Sequence, residues 1–282
     1  MILALNGGGM RGALQVGALL EFPGSLLDTF KDGGVYGISV GAIIATYIAF
    51  GFTPADLAEI FEEWCDVPLT PPSVSSFANM YTAKGLDDGS VVRERMRRNF
   101  LLKKGLDFDA LRIRDALIPL HIVATDLTNV RVVLFGRSMH VWDAVRSSIS
   151  LPMVFTPHVV GDRMFVDGGV MCFDISKCVP ADQRENTFFL LTSRSIPPPL
   201  EHYLDAVASC SSTRGAHAIK ALYPSRTCLI VDDDTPTLDI WSSVENIQSA
   251  VQKGREVMKA FLHADGADAG FLGPSADTRN CS

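Results

Sequence analysis

A layered α/β domain with a largely parallel central sheet is predicted for this chain, on three observations. Strand-like apolar runs alternate with helical patterns along most of its length, which suits helices crossing over between parallel strands. The first run, Met1 to Leu5, passes through a glycine loop into a helix. The second, Val35 and Tyr36, passes through Gly37-Ile38-Ser39-Val40-Gly41 into a nearly all-apolar helix.

Taken in order, Met1 to Leu5 reads as a short buried strand and Met10 to Leu20 as a helix. Ala13, Val16, Gly17 and Leu20 share one face of that helix, and their small size permits close packing. The helix Val40 to Phe50 is apolar on almost every side and must be buried on most of them. Pro54 to Trp64 forms a third helix, with Thr53 as N-cap and proline at the first helical position. "PLTPPSVSS" is a loop by composition. Further strands are expected at Leu120 to Ala124, Val130 to Phe135, Met164 to Val166, Phe188 to Leu191 and Thr227 to Val231. Helices are expected at Ser90 to Leu102, Val141 to Ser148, Tyr203 to Leu222 and Ser242 to Leu262. "IPPPL" reads as an extended loop. No repeat and no strong break between two halves is visible, so one domain is assigned to residues 1–262 and a frayed tail to residues 263–282.

The chain has 282 residues, 47% hydrophobic and 20% charged, and is long enough to bury a sizeable core. A net charge of -7 argues against nucleic acid as a partner, because phosphate binders usually carry a basic excess. Cys65, Cys172, Cys178, Cys210, Cys228 and Cys281 are scattered, without a C-x-x-C pair or histidines at zinc spacing. They read as free thiols in a reducing compartment, with no metal site. No secretory leader is recognisable and no run of about 18 apolar residues occurs, so a soluble, cytoplasmic chain is expected.

Gly7, Gly9 and Gly12 satisfy the G-x-G-x-x-G spacing of a dinucleotide-binding turn. That reading requires an acidic residue at the end of the second strand, where it would hold ribose hydroxyls. Asp28 and Asp32 precede the second strand instead, and what ends it is Ser39. A phosphate-binding P-loop is disfavoured because no Lys-Ser or Lys-Thr follows at the required spacing. A third use fits better: backbone amides of the stretch Gly7, Gly8, Gly9, Met10, Arg11 and Gly12, at a helix N-terminus, directed at a developing oxyanion.

Gly37-Ile38-Ser39-Val40-Gly41 has the form G-x-S-x-G in the strand-turn-helix setting of a nucleophile elbow. Its glycines, Gly37 and Gly41, tolerate a sharp turn and leave the serine hydroxyl free; the simpler alternative is a helix capped by serine. A serine hydroxyl needs a base to take its proton. None of His121, His140, His158, His202, His217 and His263 lies in a turn that announces such a role. Asp167 is a better candidate, since it ends a strand and is followed by Gly168 and Gly169, which let another backbone or a substrate approach.

"GGGMRG", "GISVG" and "DGG", in this order and with the first two near the start, resemble the motifs of the patatin-like phospholipases, a family of lipid acyl hydrolases. "VATDL" and "SSISLPMVFTP" are similar to segments that precede DGG in that family. The resemblance implies a three-layer α/β/α fold and a Ser-Asp dyad that works without histidine, metal or cofactor. Carried over by position, it implies Ser39 as nucleophile, Asp167 as base, the amides around Gly8 and Gly9 as oxyanion hole, and Arg11 as support for that loop. One departure is evident: after DGG the family continues with asparagines and a proline, whereas this chain has "VMCFDIS".

The stretch "VVRERMRRNFLLKKG" is the one cationic feature. Val92, Met96 and Phe100 form a helical stripe bordered by Arg93, Arg97 and Lys104. Such an edge can rest on an anionic membrane, but a stripe this narrow better suits packing on a core with a solvated basic border. "VDDDT", at 231–235, reads as a solvated loop rather than a cation site. The expected function is hydrolysis of fatty acyl esters of phospholipids or other lipids, with transient contact at a membrane surface. The alternatives are a non-catalytic lipid-binding or interaction module on the same fold and, less favoured, a dinucleotide-binding oxidoreductase.

Overall fold

The computed structural model describes residues 1–64, 82, 84–195, 203–237 and 243–264. Strand β1 (Ile2–Leu5) lies between β2 (Val35–Ile38) and β9 (Thr187–Ser193); β4 (Leu120–Asp126) flanks β2 and β10 (Thr227–Val231) flanks β9. These neighbours all pair in parallel. The far side is antiparallel, where β8 (Arg163–Asp167) pairs with β4 and with β7 (His158–Val160), and β5 (Arg131–Leu134) also pairs with β4. A separate parallel pair joins β3 (Gly85–Asp87) to β6 (Met153–Phe155).

The register along β4 explains why two distant turns meet. Val123 pairs with Ile38 on one side and Leu134 on the other, while Ala124 pairs with Asp167 and Val133. Since β5 occupies one edge at both positions, β2 and β8 must share the other edge, end to end. The residue that follows Ile38 therefore emerges where Asp167 ends β8.

Alternation along each strand divides the interior in two. Leu3, Leu5, Val35, Ile122, Ala124, Phe188, Leu190, Cys228 and Ile230 face one apolar layer, while Ile2, Ala4, Tyr36, Ile38, Val123, Phe189 and Leu191 face the other. The first layer is covered by α1 (Gly12–Leu20), α3 (Val40–Ala49), α4 (Pro54–Glu63), α5 (Ser90–Lys104), α6 (Val141–Ser148) and α8 (Val244–Ala264). The second is covered by α7 (Tyr203–Leu222), through Ala216 and Ile219, together with the turns around Ile175 and Val179. The result is the expected three-layer α/β/α arrangement. Every residue of α3 is buried, in keeping with its apolar sequence, and Thr53 with Asp56 closes a capping box on α4.

The stripe Val92, Met96 and Phe100 packs inward, with Phe100 among Tyr47, Phe50, Phe52 and Phe108. Its basic border is partnered internally: Arg93 pairs with Asp109 and Arg97 with Glu94, both at 3.0 Å, and Lys104 Nζ donates to the Gly51 carbonyl at 2.7 Å. Asp232 of "VDDDT" pairs with Lys253, and no group of three metal-binding side chains occurs among the described residues. No helix of the described residues is long and apolar enough to cross a membrane. The sequence pattern does not reveal the short helix α2 (Leu26–Phe30), nor β3, β6 and β7. The helix expected from Met10 starts instead as a tight 3₁₀ turn, Gly9–Arg11, and becomes α-helical at Gly12. The loops 68–76 and 196–200, Cys65, Cys281, His202 and the tail beyond Ala264 lie outside the described residues.

Helices α1 and α8 approach backbone to backbone. A Cβ at Gly254 would stand 2.0 Å from the Leu14 carbonyl oxygen, and one at Gly17 would stand 1.9 Å from that of Val251. The obstacle is backbone and cannot rotate away, so Gly254→Ala is expected to lose about 1–3 kcal/mol of stability. An unchanged midpoint in urea unfolding would show that these helices are more loosely packed than described.

Candidate active site

Leu5 pairs with Gly37, so the loop that follows β1 and the turn that follows β2 open side by side at the C-terminal ends of parallel strands, where ligands bind in open α/β sheets. Ser39 is the single residue between β2 and α3, and it reverses the chain with φ 56° and ψ -127°. Such a backbone strains a residue with a side chain and persists only where its surroundings enforce it. The enforcement is visible. A Cβ at Gly37 would lie 2.3 Å from the Gly41 carbonyl oxygen, and one at Gly41 would lie 2.6 Å from that of Leu5, so only glycines let strand and helix fold this closely. The Ser39 amide donates to Ser148 Oγ at 2.9 Å, and Ser148 Oγ donates to the Val123 carbonyl at 2.6 Å. Ser148 thus ties the turn to β4; within "SSISLP" nothing in the sequence distinguishes it from its serine neighbours.

Asp167 is fixed mainly through its backbone. Its amide donates to the Ser150 carbonyl at 2.9 Å, and its own carbonyl accepts from Thr125 Oγ1 at 3.0 Å. Ser150 is itself held by the buried Arg146, whose guanidinium donates to Ser150 Oγ, the Asp88 carbonyl and both oxygens of Thr156. Of the Asp167 carboxylate, Oδ1 accepts from the Gly169 amide at 2.7 Å, while Oδ2 is buried and accepts no hydrogen bond among the described residues. Burial pushes this carboxyl up to about 6, with the Ser39 hydroxyl and the Gly169 amide acting in the opposite direction. The Ser39 hydroxyl thus favours the charged form of this carboxyl from beyond ordinary hydrogen-bond length. A buried carboxyl that titrates near neutrality beside a strained serine is a pattern of functional sites.

Across from this pair runs the glycine loop. The Met10 amide is taken by the Thr237 carbonyl at 3.0 Å, the Arg11 amide by that of Gly8, and the Gly12 amide by those of Gly9 and Met10. The amides of Gly7, Gly8 and Gly9 make no hydrogen bond among the described residues. Gly7 borders the serine directly: a Cβ there would lie 3.0 Å from Ser39 Cβ and 3.7 Å from Ser39 Oγ. Arg11 is buried under the loop, its Nη2 donating to the carbonyls of Ser193 and Asp232. Gly168 closes the floor, within 2.6 Å of the Val123 carbonyl oxygen and 3.1 Å of Ile38 Cγ2 measured from its would-be Cβ.

Ser39, Asp167 and the amides of Gly7, Gly8 and Gly9 are thus gathered at one end of the sheet. No acid ends β2, which removes the ribose contact that a dinucleotide site needs. His158 is bonded to Asp143 and His121 is stacked on Tyr36, and no histidine hydrogen-bonds Ser39 or Asp167 among the described residues.

Residues 3–175 match the family model described as patatin-like phospholipase. An uncharacterized protein of Acanthamoeba polyphaga mimivirus is 27% identical over 259 residues, covering 84% of each chain. The uncharacterized YqhO of Bacillus subtilis is 30% identical over 189 residues, 59% of this chain and 62% of that protein. Among solved structures, VipD from Legionella pneumophila superposes with a TM-score of 0.53 at 14% identity, over 93% of this chain and 66% of that one. The last likeness is one of fold.

Proposed function

The chain belongs to the patatin-like phospholipase family, and on that premise we propose that it is a serine acyl hydrolase that cleaves fatty acyl esters of phospholipids or other lipids. The observation that carries this reading is the meeting of Ser39 with Asp167 at one edge of β4, opposite backbone amides that make no hydrogen bond among the described residues. Ser39 Oγ attacks the ester carbonyl carbon while Asp167 takes its proton. The negative charge that develops on the carbonyl oxygen is received by the amides of Gly7, Gly8 and Gly9, the part of the loop not committed elsewhere. Collapse expels the alcohol, which carries away the proton from Asp167 and leaves an acyl group on Ser39. Water then attacks that ester, Asp167 takes the proton from the water, and the fatty acid leaves as Ser39 regains its hydrogen. A carboxyl with a pKa of about 6 can accept and return protons near neutral pH, which one at the ordinary value of 3.8 does less readily.

Gly7 offers a test of how closely the loop attends the serine. Gly7→Ala places a methyl group against Ser39 Cβ, and displacing a nucleophile by about 1 Å can cost about 100-fold in rate. A fall in kcat of that order on a soluble ester is expected, with folding retained; unchanged kcat would detach the loop from the chemistry.

The function itself is tested by incubating the purified protein with phosphatidylcholine in mixed micelles and measuring released fatty acid. Release at a steady rate supports the hydrolase. Saturable binding without release would instead favour the non-catalytic lipid-binding module.

A further inference from the structure

The turn behind Asp167 contains two thiols for which the proposed hydrolysis has no use. Cys172 and Cys178 have their sulfurs 3.2 Å apart, in direct contact. Cys172 lies within the segment that departs from the asparagine-and-proline pattern, after the 3₁₀ turn Gly168–Val170, and Cys178 ends the next 3₁₀ turn, Ile175–Cys178. Cys172 is buried in the apolar layer with Ile38, Val123, Ile175 and Val179, whereas Cys178 is half-buried. Cys178 is the more exposed of the two residues. The hydrogen bond from Cys172 holds the Cys178 thiol below the ordinary thiol range, while the same contact and burial raise that of Cys172. This is the division of labour of an attacking and a resolving cysteine.

The pair is linked to the carboxylate by a short chain of contacts. The Cys172 amide donates to the Gly168 carbonyl at 2.9 Å, and the next residue, Gly169, donates its amide to Asp167 Oδ1 at 2.7 Å. Bond formation draws the sulfurs in by about 1 Å, from 3.2 Å to about 2.05 Å, a movement that the two side chains and the turn must share.

We propose that Cys172 and Cys178 are a redox modification site, which a peroxide-class oxidant closes into an intrachain disulfide that disturbs the Gly169 contact to Asp167 and slows hydrolysis. The Cys178 thiolate attacks one peroxide oxygen and the O–O bond breaks, leaving a sulfenic acid on Cys178 and a hydroxide that is protonated to water. The Cys172 sulfur then displaces the sulfenic oxygen, forming the S–S bond, and its proton leaves with that oxygen as a second water. Two thiols are oxidised by two electrons and one peroxide is reduced to two waters. The disulfide itself is independent of the proposed function, while the effect on rate rests on Asp167 being the base.

The test treats the full chain with hydrogen peroxide, blocks remaining thiols, and maps the digested peptides by mass. A Cys172–Cys178 disulfide that dithiothreitol reverses is expected. On the same samples, the Gly169 amide should exchange faster and kcat on a soluble short-chain ester should fall by about 10- to 100-fold, the range for a misplacement near 1 Å. Cys178→Ser should show neither change. Oxidation of other thiols without this disulfide would overturn the pair, and a disulfide with unaltered Gly169 exchange would overturn the coupling. Disulfide formation and altered exchange in a protein that hydrolyses no ester even when reduced would leave the redox pair standing and count against the hydrolase.

Discussion

Ser39→Ala is expected to reduce ester hydrolysis by on the order of 10⁴- to 10⁶-fold, the scale on which loss of a hydrolase serine is felt. The size follows from what the hydroxyl would do: every productive encounter would pass through its oxygen, and among the described residues Ser39 is the hydroxyl that acts on the Asp167 carboxyl. The fold should be spared. The substitution removes one atom from a turn whose anchors are the Ser39 amide bonded to Ser148 and the glycines Gly37 and Gly41, and all of these remain. Alanine tolerates φ 56° no worse than serine, so stability should stay within about 1 kcal/mol of the parent. Circular dichroism and a urea midpoint check the fold, and initial rates on a short-chain ester check the chemistry. Substantial turnover in a well-folded variant would remove Ser39 from the mechanism.

Asp167→Asn is expected to cost about 10²- to 10⁴-fold in kcat, the usual worth of a general base, while making the protein more stable at neutral pH. Activity and stability separate here because burial works against the charged form of this carboxyl. The folded pKa of about 6 lies above the ordinary 3.8. Below 3.8 the group is neutral in both folded and unfolded states, and its burial carries no charge penalty. As pH rises from 3.8 to about 6, the unfolded chain ionises freely while the buried group resists, and stability is lost until the folded protein too holds the carboxylate. The shift amounts to at most about 3 kcal/mol at about 1.4 kcal/mol per pKa unit. Asparagine carries no charge, so its advantage should be largest above pH 7 and vanish below about pH 4. In the parent protein the same group should make kcat/KM fall as pH drops through about 6. Unfolding curves across that range, set beside the rate profile, check both halves. A variant that is less stable than the parent at pH 8 would show that the carboxylate is better solvated than its surroundings indicate.

Local chemistry makes much of this arrangement readable in the sequence alone. Gly37, Ser39 and Gly41 announce a turn because two glycines around a serine, between an apolar strand and an apolar helix, leave few other conformations. Thr53 with Pro54 announces a helix start for similarly local reasons. What could not be read depends on distant partners. The commitment of the Met10 amide depends on the Thr237 carbonyl, more than two hundred residues away in sequence, so the spacing of the glycine loop could not say which of its amides are free. Ser148 gains its place at the Ser39 amide only when α6 is packed on β4. The end-to-end seating of β2 and β8 on β4 is a matter of register, and β7 and β8 are antiparallel additions that the alternation of strands and helices does not foretell. Cys172 and Cys178, six positions apart in a plain-looking stretch, meet because the turns around them fold the segment back on itself.

The central claim is that Ser39 is a nucleophile activated within this site, and reaction with a fluorophosphonate tests it most directly. Such a reagent captures a serine only where a base and an oxyanion pocket surround it. The expected result is a single covalent adduct, mapped by peptide mass to Ser39, formed together with loss of ester hydrolysis and absent from Ser39→Ala. An adduct on another residue, or hydrolysis that persists while Ser39 stays unmodified, would contradict the account.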